Sequence, residues 1–518
     1  MTKQYSMKRL TLFLTLLSLT AFAQSPVVKT ENGQIEGTIN RAGDVRIFRG
    51  VPFAAPPVGN LRWKSPQPVA NWTGIRKCQA FGPSPMQGKP VPFMYWSSEF
   101  LIPEAPISED CLYLNVWTGA KSATEKRPVI VYIPGGGFRS GGGACPIYDG
   151  ESMAKKGVVF VTINYRLGVF GFLAHPELTQ ESGYHASGNY AILDMIAALR
   201  WVQKNIAALG GDPANVTIAG QSAGAFAVNF LTASPLAKGL FQRAIAESGG
   251  SFVTSPIRPN ITLEGAEKQG VAFAKSLNAN SLSELRAKSA DELLKTNGGL
   301  SAPITDGYVV PESIYEIYAN GHQNDVPLIV GWNEEDRVSG PPAKAEAFRE
   351  QVKKRFGDKA DAYLKVYPAQ TDSEAAQSQL ASSRDESFGI QDYTWATMQA
   401  KTGKAPVYVY NFNRKLPASS PETQFGAFHS GEIVYAYDNL HTLNRPWEPV
   451  DQKLATTMSS YWVNFAKTGN PNGKNVPNWP AYRPTTENVI ILDKMIESKP
   501  LPTKPQLAFW EEYYGTER

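Results

Sequence analysis

The chain is poor in the residues on which several functional classes depend. Its 518 residues include three cysteines, Cys78, Cys111 and Cys145. None belongs to a C-x-x-C pair, which leaves a zinc knuckle or a thioredoxin-like redox motif without support. Histidine occurs five times, at His175, His185, His322, His429 and His441, so imidazole chemistry has few candidates. Charge of one sign is missing too: 51 basic residues face 47 acidic ones, with no dense basic run. Composition therefore gives no electrostatic case for nucleic acid. Beyond the first residues no apolar stretch is long enough to span a bilayer, and repeats and low-complexity tracts are absent. What is present is an ordinary globular composition, 42% hydrophobic and 19% charged, unlike that of a disordered chain.

The N-terminus stands apart. Lys8 and Arg9 precede an apolar run from Leu10 to Thr20, and Ala21-Phe22-Ala23 offers an A-x-A cleavage site before Gln24. This layout predicts a signal peptide over residues 1–23, and a secreted or periplasmic mature chain over 24–518. The run is too short for a membrane helix. Its removal takes away Lys3, Lys8 and Arg9 and no acid, leaving 48 basic against 47 acidic residues. In an oxidising compartment one cysteine pair can bridge, and Cys78–Cys111 is the pair expected. Such a bridge would close about 34 residues and stabilise by ~4 kcal/mol in the chain-entropy picture.

From residue 110 to 250 short apolar runs alternate with helical patterns. Val129–Ile133, Val158–Asn164, Val216–Ala219 and Arg243–Glu247 read as strands. Asn189–Ala208 reads as a helix with Ile192, Ile196, Leu199, Val202 and Ile206 on one face, and Ala223–Ala233 as another helix. Val326–Val330 and Val407–Asn411 return to the sheet, while residues 255–300 and 340–400 have helical periodicity. The alternation predicts an α/β fold with a mostly parallel sheet covered on both faces and carrying helical insertions.

Gly220-Gln221-Ser222-Ala223-Gly224 follows one of these strands and opens a helix, the setting a nucleophile elbow requires. A serine hydroxyl needs an adjacent base. In this fold the base follows the nucleophile and the acid in the chain, which leaves His429 and His441. His429 sits among small residues, Gly426-Ala427-Phe428-His429-Ser430-Gly431, whereas His441 lies in a polar stretch and reads as a solvated side chain. After the strand Val326–Val330 come Glu334, Glu335 and Asp336, any of which can receive the second imidazole N–H. Gly135-Gly136-Gly137 after a strand, and Ala223 after the nucleophile, can supply backbone N–H groups to an oxyanion. Gly141-Gly142-Gly143 reads as a loop. Phe93, Tyr95, Trp96, Phe100 and Trp332 are candidates for a pocket wall, though most aromatics are core.

These residues resemble the type-B carboxylesterase family, which includes the cholinesterases. The likeness is carried by Glu109-Asp110-Cys111-Leu112-Tyr113-Leu114-Asn115-Val116-Trp117, by Gly210 through Gly224, by the block Arg49–Ala54 with Leu61-Arg62-Trp63, by Asn164-Tyr165-Arg166-Leu167-Gly168, and by Tyr461–Ala466. It spans nearly the whole mature chain. It implies one large α/β-hydrolase domain, acyl-enzyme chemistry on a small ester with water as the second substrate, and no cofactor or metal. By position it implies Ser222 as nucleophile, His429 as base and Gly136, Gly137 and Ala223 as the oxyanion hole. Asp336 falls where the family usually has Glu, with Glu335 as the alternative acid. Gln221 stands where cholinesterases have Glu, which argues against choline-like cationic substrates. Other hydrolases of the fold (amidase, thioesterase, lipase) and a non-catalytic binding protein on the same scaffold are the rival readings.

Overall fold

The computed structural model describes residues 25–254, 259–296, 302–336 and 342–515; the expected signal peptide lies outside them. An 11-stranded sheet runs through the molecule. Its strands in chain order are β1 (Thr38–Ile39), β2 (Arg46–Pro52), β3 (Tyr113–Thr118), β4 (Arg127–Ile133), β5 (Val159–Ile163), β6 (Gly211–Gln221), β7 (Arg243–Glu247), β8 (Leu328–Asn333), β9 (Val407–Phe412), β10 (Asn488–Leu492) and β11 (Glu497–Pro500). Across the sheet the order is β11-β10-β9-β8-β7-β6-β4-β5-β3-β2-β1. From β10 to β5 every neighbouring pair is parallel, and antiparallel strands close both sides.

The apolar runs of the central strands are continuous because both faces are covered. Along β4, Val129, Val131 and Ile133 enter one core while Ile130 and Tyr132 enter the other. Helix α1 (Tyr190–Asn205) lies on the first face, and the five residues of its expected apolar stripe are all buried there. Helix α2 (Ala223–Ala233) is buried along its whole length. The two regions of helical periodicity do form helices, among them Leu263–Ser276, Ala345–Phe356, α3 (Asp372–Arg384) and α4 (Ile390–Thr402). The second face carries helix α5 (Pro449–Thr468), with Leu454, Met458, Trp462 and Phe465 buried.

Strand starts differ from expectation: β4 begins at Arg127, two residues before Val129. β6 begins at Gly211 rather than Val216, with a register shift between those residues where Pro213 lacks a donor. β8 begins two residues later than expected, after Pro327, and continues through Trp332 and Asn333. The expected Cys78–Cys111 bridge is not formed. Both are buried free thiols, as is Cys145; the Cys78 thiol is directed at Gly50 O, 4.0 Å away. Burial pushes the Cys78 thiol up to about 11, so it stays protonated and inert.

The sequence blocks away from the elbow act as struts. Arg62 pairs bidentately with Glu109, joining two of the blocks. Arg166 does the same with Asp194 of α1, at 2.8 and 2.7 Å, both side chains being buried. Tyr165 OH donates to Pro134 O at 2.6 Å, anchoring the start of the glycine turn that follows β4.

Candidate active site

β6 ends at Gln221 and α2 starts at Ala223, so Ser222 makes the turn alone, with φ 56° and ψ −125°. A non-glycine residue held there stores about 1–3 kcal/mol of strain. The flanking glycines are required by contact. A Cβ on Gly220 would lie 2.5 Å from the Gly224 carbonyl carbon, and one on Gly224 would lie 2.0 Å from Ile133 O. The Ser222 N–H donates to Glu247 O at 2.8 Å, tying the elbow to β7. The serine is thus presented at the N-terminus of α2, where the helix dipole favours developing negative charge.

The imidazole arrives from the loop after β9. His429 is buried, and its Nδ1 lies 2.5 Å from Asp336 Oδ1. The other carboxylate oxygen of Asp336 accepts from Ser248 Oγ at 2.6 Å and from the Asn333 N–H at 3.0 Å. A carboxylate beside Nδ1 favours the imidazole tautomer that carries its proton on that nitrogen. The shorter aspartate reaches because β8 extends to Asn333 and the turn folds back on it.

Glu335 and Glu334 point elsewhere. The Glu335 carboxylate accepts from the Ala427 N–H at 2.8 Å and pairs with Lys415 at 3.2 Å, while its own N–H donates to Ala427 O at 3.1 Å. It clamps the histidine loop without touching the imidazole. Glu334 pairs with buried Arg384 at 2.7 Å.

Ser222 and His429 line one cavity of about 460 Å³, together with Gly136 and Gly137. Among the described residues the Ser222 hydroxyl is not hydrogen-bonded to the imidazole, the loose geometry common before substrate binds. Gly136 and Gly137 take φ of 122° and 62°, turning the backbone of this segment toward the cavity. The Gly136 carbonyl is held from behind by the Ser140 N–H (3.0 Å) and Ser140 Oγ (3.1 Å). Ala223 opens the helix beside the serine. Gly141, in the second triplet, exchanges hydrogen bonds with Gln87 at 2.9 and 2.8 Å, fixing the loop that forms the cavity's rim.

Phe93, Trp96 and Phe100 line the cavity as expected. Tyr95 instead stacks on Phe428 with centroids 4.8 Å apart, and Trp332 is fully buried in the sheet. His441 is exposed. No carboxylate belongs to the described wall of the cavity, and Lys89 sits at its rim. Sequence reasoning missed Ser248. Its signal was a serine at the end of β7 followed by two glycines, where the backbone turns through a φ of 58°.

Comparison with known proteins places the chain in a family. The carboxylesterase family pattern matches residues 24–510. A fumonisin B1 esterase from Sphingopyxis macrogoltabida is 37% identical, over 88% of this chain and 84% of its own. The para-nitrobenzyl esterase of Bacillus subtilis is 35% identical, over 93% and 98%. A solved PNB esterase structure superposes with a TM-score of 0.78 at 33% identity, covering 93% of this chain and 98% of that one. The chain belongs to the carboxylesterase family, and is an α/β-hydrolase that cleaves carboxylic esters.

Proposed function

We propose that Ser222, His429 and Asp336 form the catalytic triad of this esterase, with the N–H groups of Gly136, Gly137 and Ala223 as its oxyanion hole. His429 Nε2 takes the Ser222 proton as Oγ attacks the ester carbonyl. The three N–H groups receive the charge that develops on oxygen. The imidazolium, steadied by Asp336, protonates the departing alcohol. The neutral imidazole so regenerated takes a proton from water as that water attacks the acyl carbon, then returns it to Ser222 Oγ as the acid leaves. The observation that carries this reading is the 2.5 Å contact between His429 and Asp336, behind a cavity that Ser222 shares.

The wall of that cavity favours uncharged esters with apolar or aromatic parts over cationic ones, since its described residues include no carboxylate and Lys89 lies at its rim. Two relatives are named for para-nitrobenzyl and fumonisin B1 esters, which supports a broad ester range. We also propose export, with cleavage after Ala23; N-terminal sequencing of protein recovered outside the cytoplasm should then begin at Gln24. Ser222→Ala tests the triad. Hydrolysis of a 4-nitrophenyl ester should fall by ~10⁴-fold or more with an unchanged circular dichroism spectrum and melting temperature. Turnover retained in the folded variant would end the assignment.

A further inference from the structure

One contact to the imidazole plays no part in the proposed chemistry. Between α3 and α4 the helix widens into a π turn, Asp385–Gly389, a device that often marks a functional position. Phe388 projects from this turn and stacks on His429, with ring centroids 4.6 Å apart and planes 15° from parallel. Phe388 is buried and lies outside the lining of the substrate cavity. It backs the imidazole from outside that lining.

A second group presses on the same ring. Gln221 Nε2 is 3.4 Å from Nδ1 and 3.3 Å from Nε2. A donor bonded to one ring nitrogen approaches in the ring plane. Near-equal approach to both, in the plane, would drive it into the carbon between them, so the amide rests over a face. The amide is fixed in turn, because Gln221 Oε1 accepts from Ser430 Oγ at 3.0 Å.

The π turn is fastened at both ends to the side of the molecule that holds the acid. Arg384, just before it, donates to Glu334 in the Asp336 turn at 2.7 Å and pairs with Asp385 at 2.7 Å. Asp392, just after it, accepts from the Gly249 N–H at 3.1 Å, next to Ser248, which bonds Asp336. Arg384, Asp385 and Asp392 are all buried. The helix therefore sets the Phe388 ring against the same group that Asp336 holds by its edge.

We propose that Phe388 is a positioning residue for His429: its face fixes the plane of the imidazole, so that Nε2 stays aimed between Ser222 Oγ and the departing alcohol oxygen. Hydrogen bonding at Nδ1 alone leaves the ring free to swing about that bond, and misplacement of about 1 Å can cost ~100-fold. This inference rests on His429 being the base.

The demand on aim differs between substrates. An alkoxide leaving group must be protonated by the imidazolium, whereas a 4-nitrophenolate departs unaided. Phe388→Leu should therefore lower kcat/KM for an ethyl ester at least tenfold more than for the 4-nitrophenyl ester of the same acid. Phe388→Tyr, which keeps the face, should hold the ratio within twofold of the parent. Phe388→Met, unbranched and adaptable but without a ring, should behave like Phe388→Leu and guards against a packing defect peculiar to leucine. Active-site titration with an organophosphonate corrects each rate for folded enzyme. An equal loss on both esters, or a Phe388→Tyr ratio as poor as that of Phe388→Leu, would overturn the proposal. His429→Ala run alongside separates the two readings. If it hydrolyses both esters normally, the triad assignment fails; if it is inactive while Phe388→Leu leaves the ester ratio unchanged, only the role of Phe388 fails.

Discussion

At the scale of single residues, three consecutive acids that look interchangeable in the sequence have three different jobs. Glu334 meets Arg384, Glu335 clamps the histidine loop, and Asp336 meets the imidazole. Asp336→Asn keeps the shape but presents the wrong hydrogen-bonding partner to Nδ1, so kcat should fall ~10³–10⁴-fold. Glu335→Gln keeps an acceptor for Ala427 and should cost no more than ~10-fold. Steady-state kinetics of the two purified variants compares them directly, and equal losses would contradict the separation of roles. The proposed nucleophile and base each carry a local signal, a glycine-flanked serine and a histidine among small residues. Local pattern did not separate the proposed acid from its neighbours, and only the family resemblance pointed to Asp336; its setting depends on how β8 ends and on Ser248, which lies 88 positions away in the chain.

At the scale of elements, alternation of apolar runs with helical stripes revealed most of the sheet and α1, since burial on two faces leaves a clear imprint on composition. It missed where β6 and β8 begin, because proline moves the ladder, and it missed the π turn, which is set by Arg384 and Asp392 reaching other elements. The junction of β4, β6 and α2 leaves no room for an added methyl group. Gly224→Ala places a methyl group 2.0 Å from a backbone oxygen of β4. It should destabilise by about 2 kcal/mol or more, visible as a lower midpoint in urea unfolding, and should also lower activity by displacing Ser222. A midpoint within error of the parent would show that the elbow can relax.

At the scale of the whole molecule, the sheet buries acids whose ionisation opposes folding. Glu247 is wholly buried, accepts from Trp462 Nε1 at 2.8 Å and Tyr437 OH at 3.3 Å, and is pushed by burial from an ordinary 4.5 up to about 8. Glu432, also buried, is raised by burial and then by the charges of Glu247 and Asp336. A raised carboxyl holds its proton in the folded state after the unfolded chain has released it. Its contribution is therefore complete below pH 4.5 and is lost as pH climbs toward 8. Glu247→Gln removes that loss, so its melting temperature relative to the parent should rise by a few °C between pH 5 and pH 8. A difference that stays constant across that range would contradict the burial argument. The larger claim at this scale is that β6, β8 and the loop after β9 bring residues 222, 336 and 429 to one rim. Labelling with a serine-reactive organophosphonate, followed by peptide mapping, tests it most directly. One label per chain is expected, on Ser222, with labelling slowed ~100-fold or more in His429→Ala. A label on another residue, or equal rates in the two proteins, would contradict it.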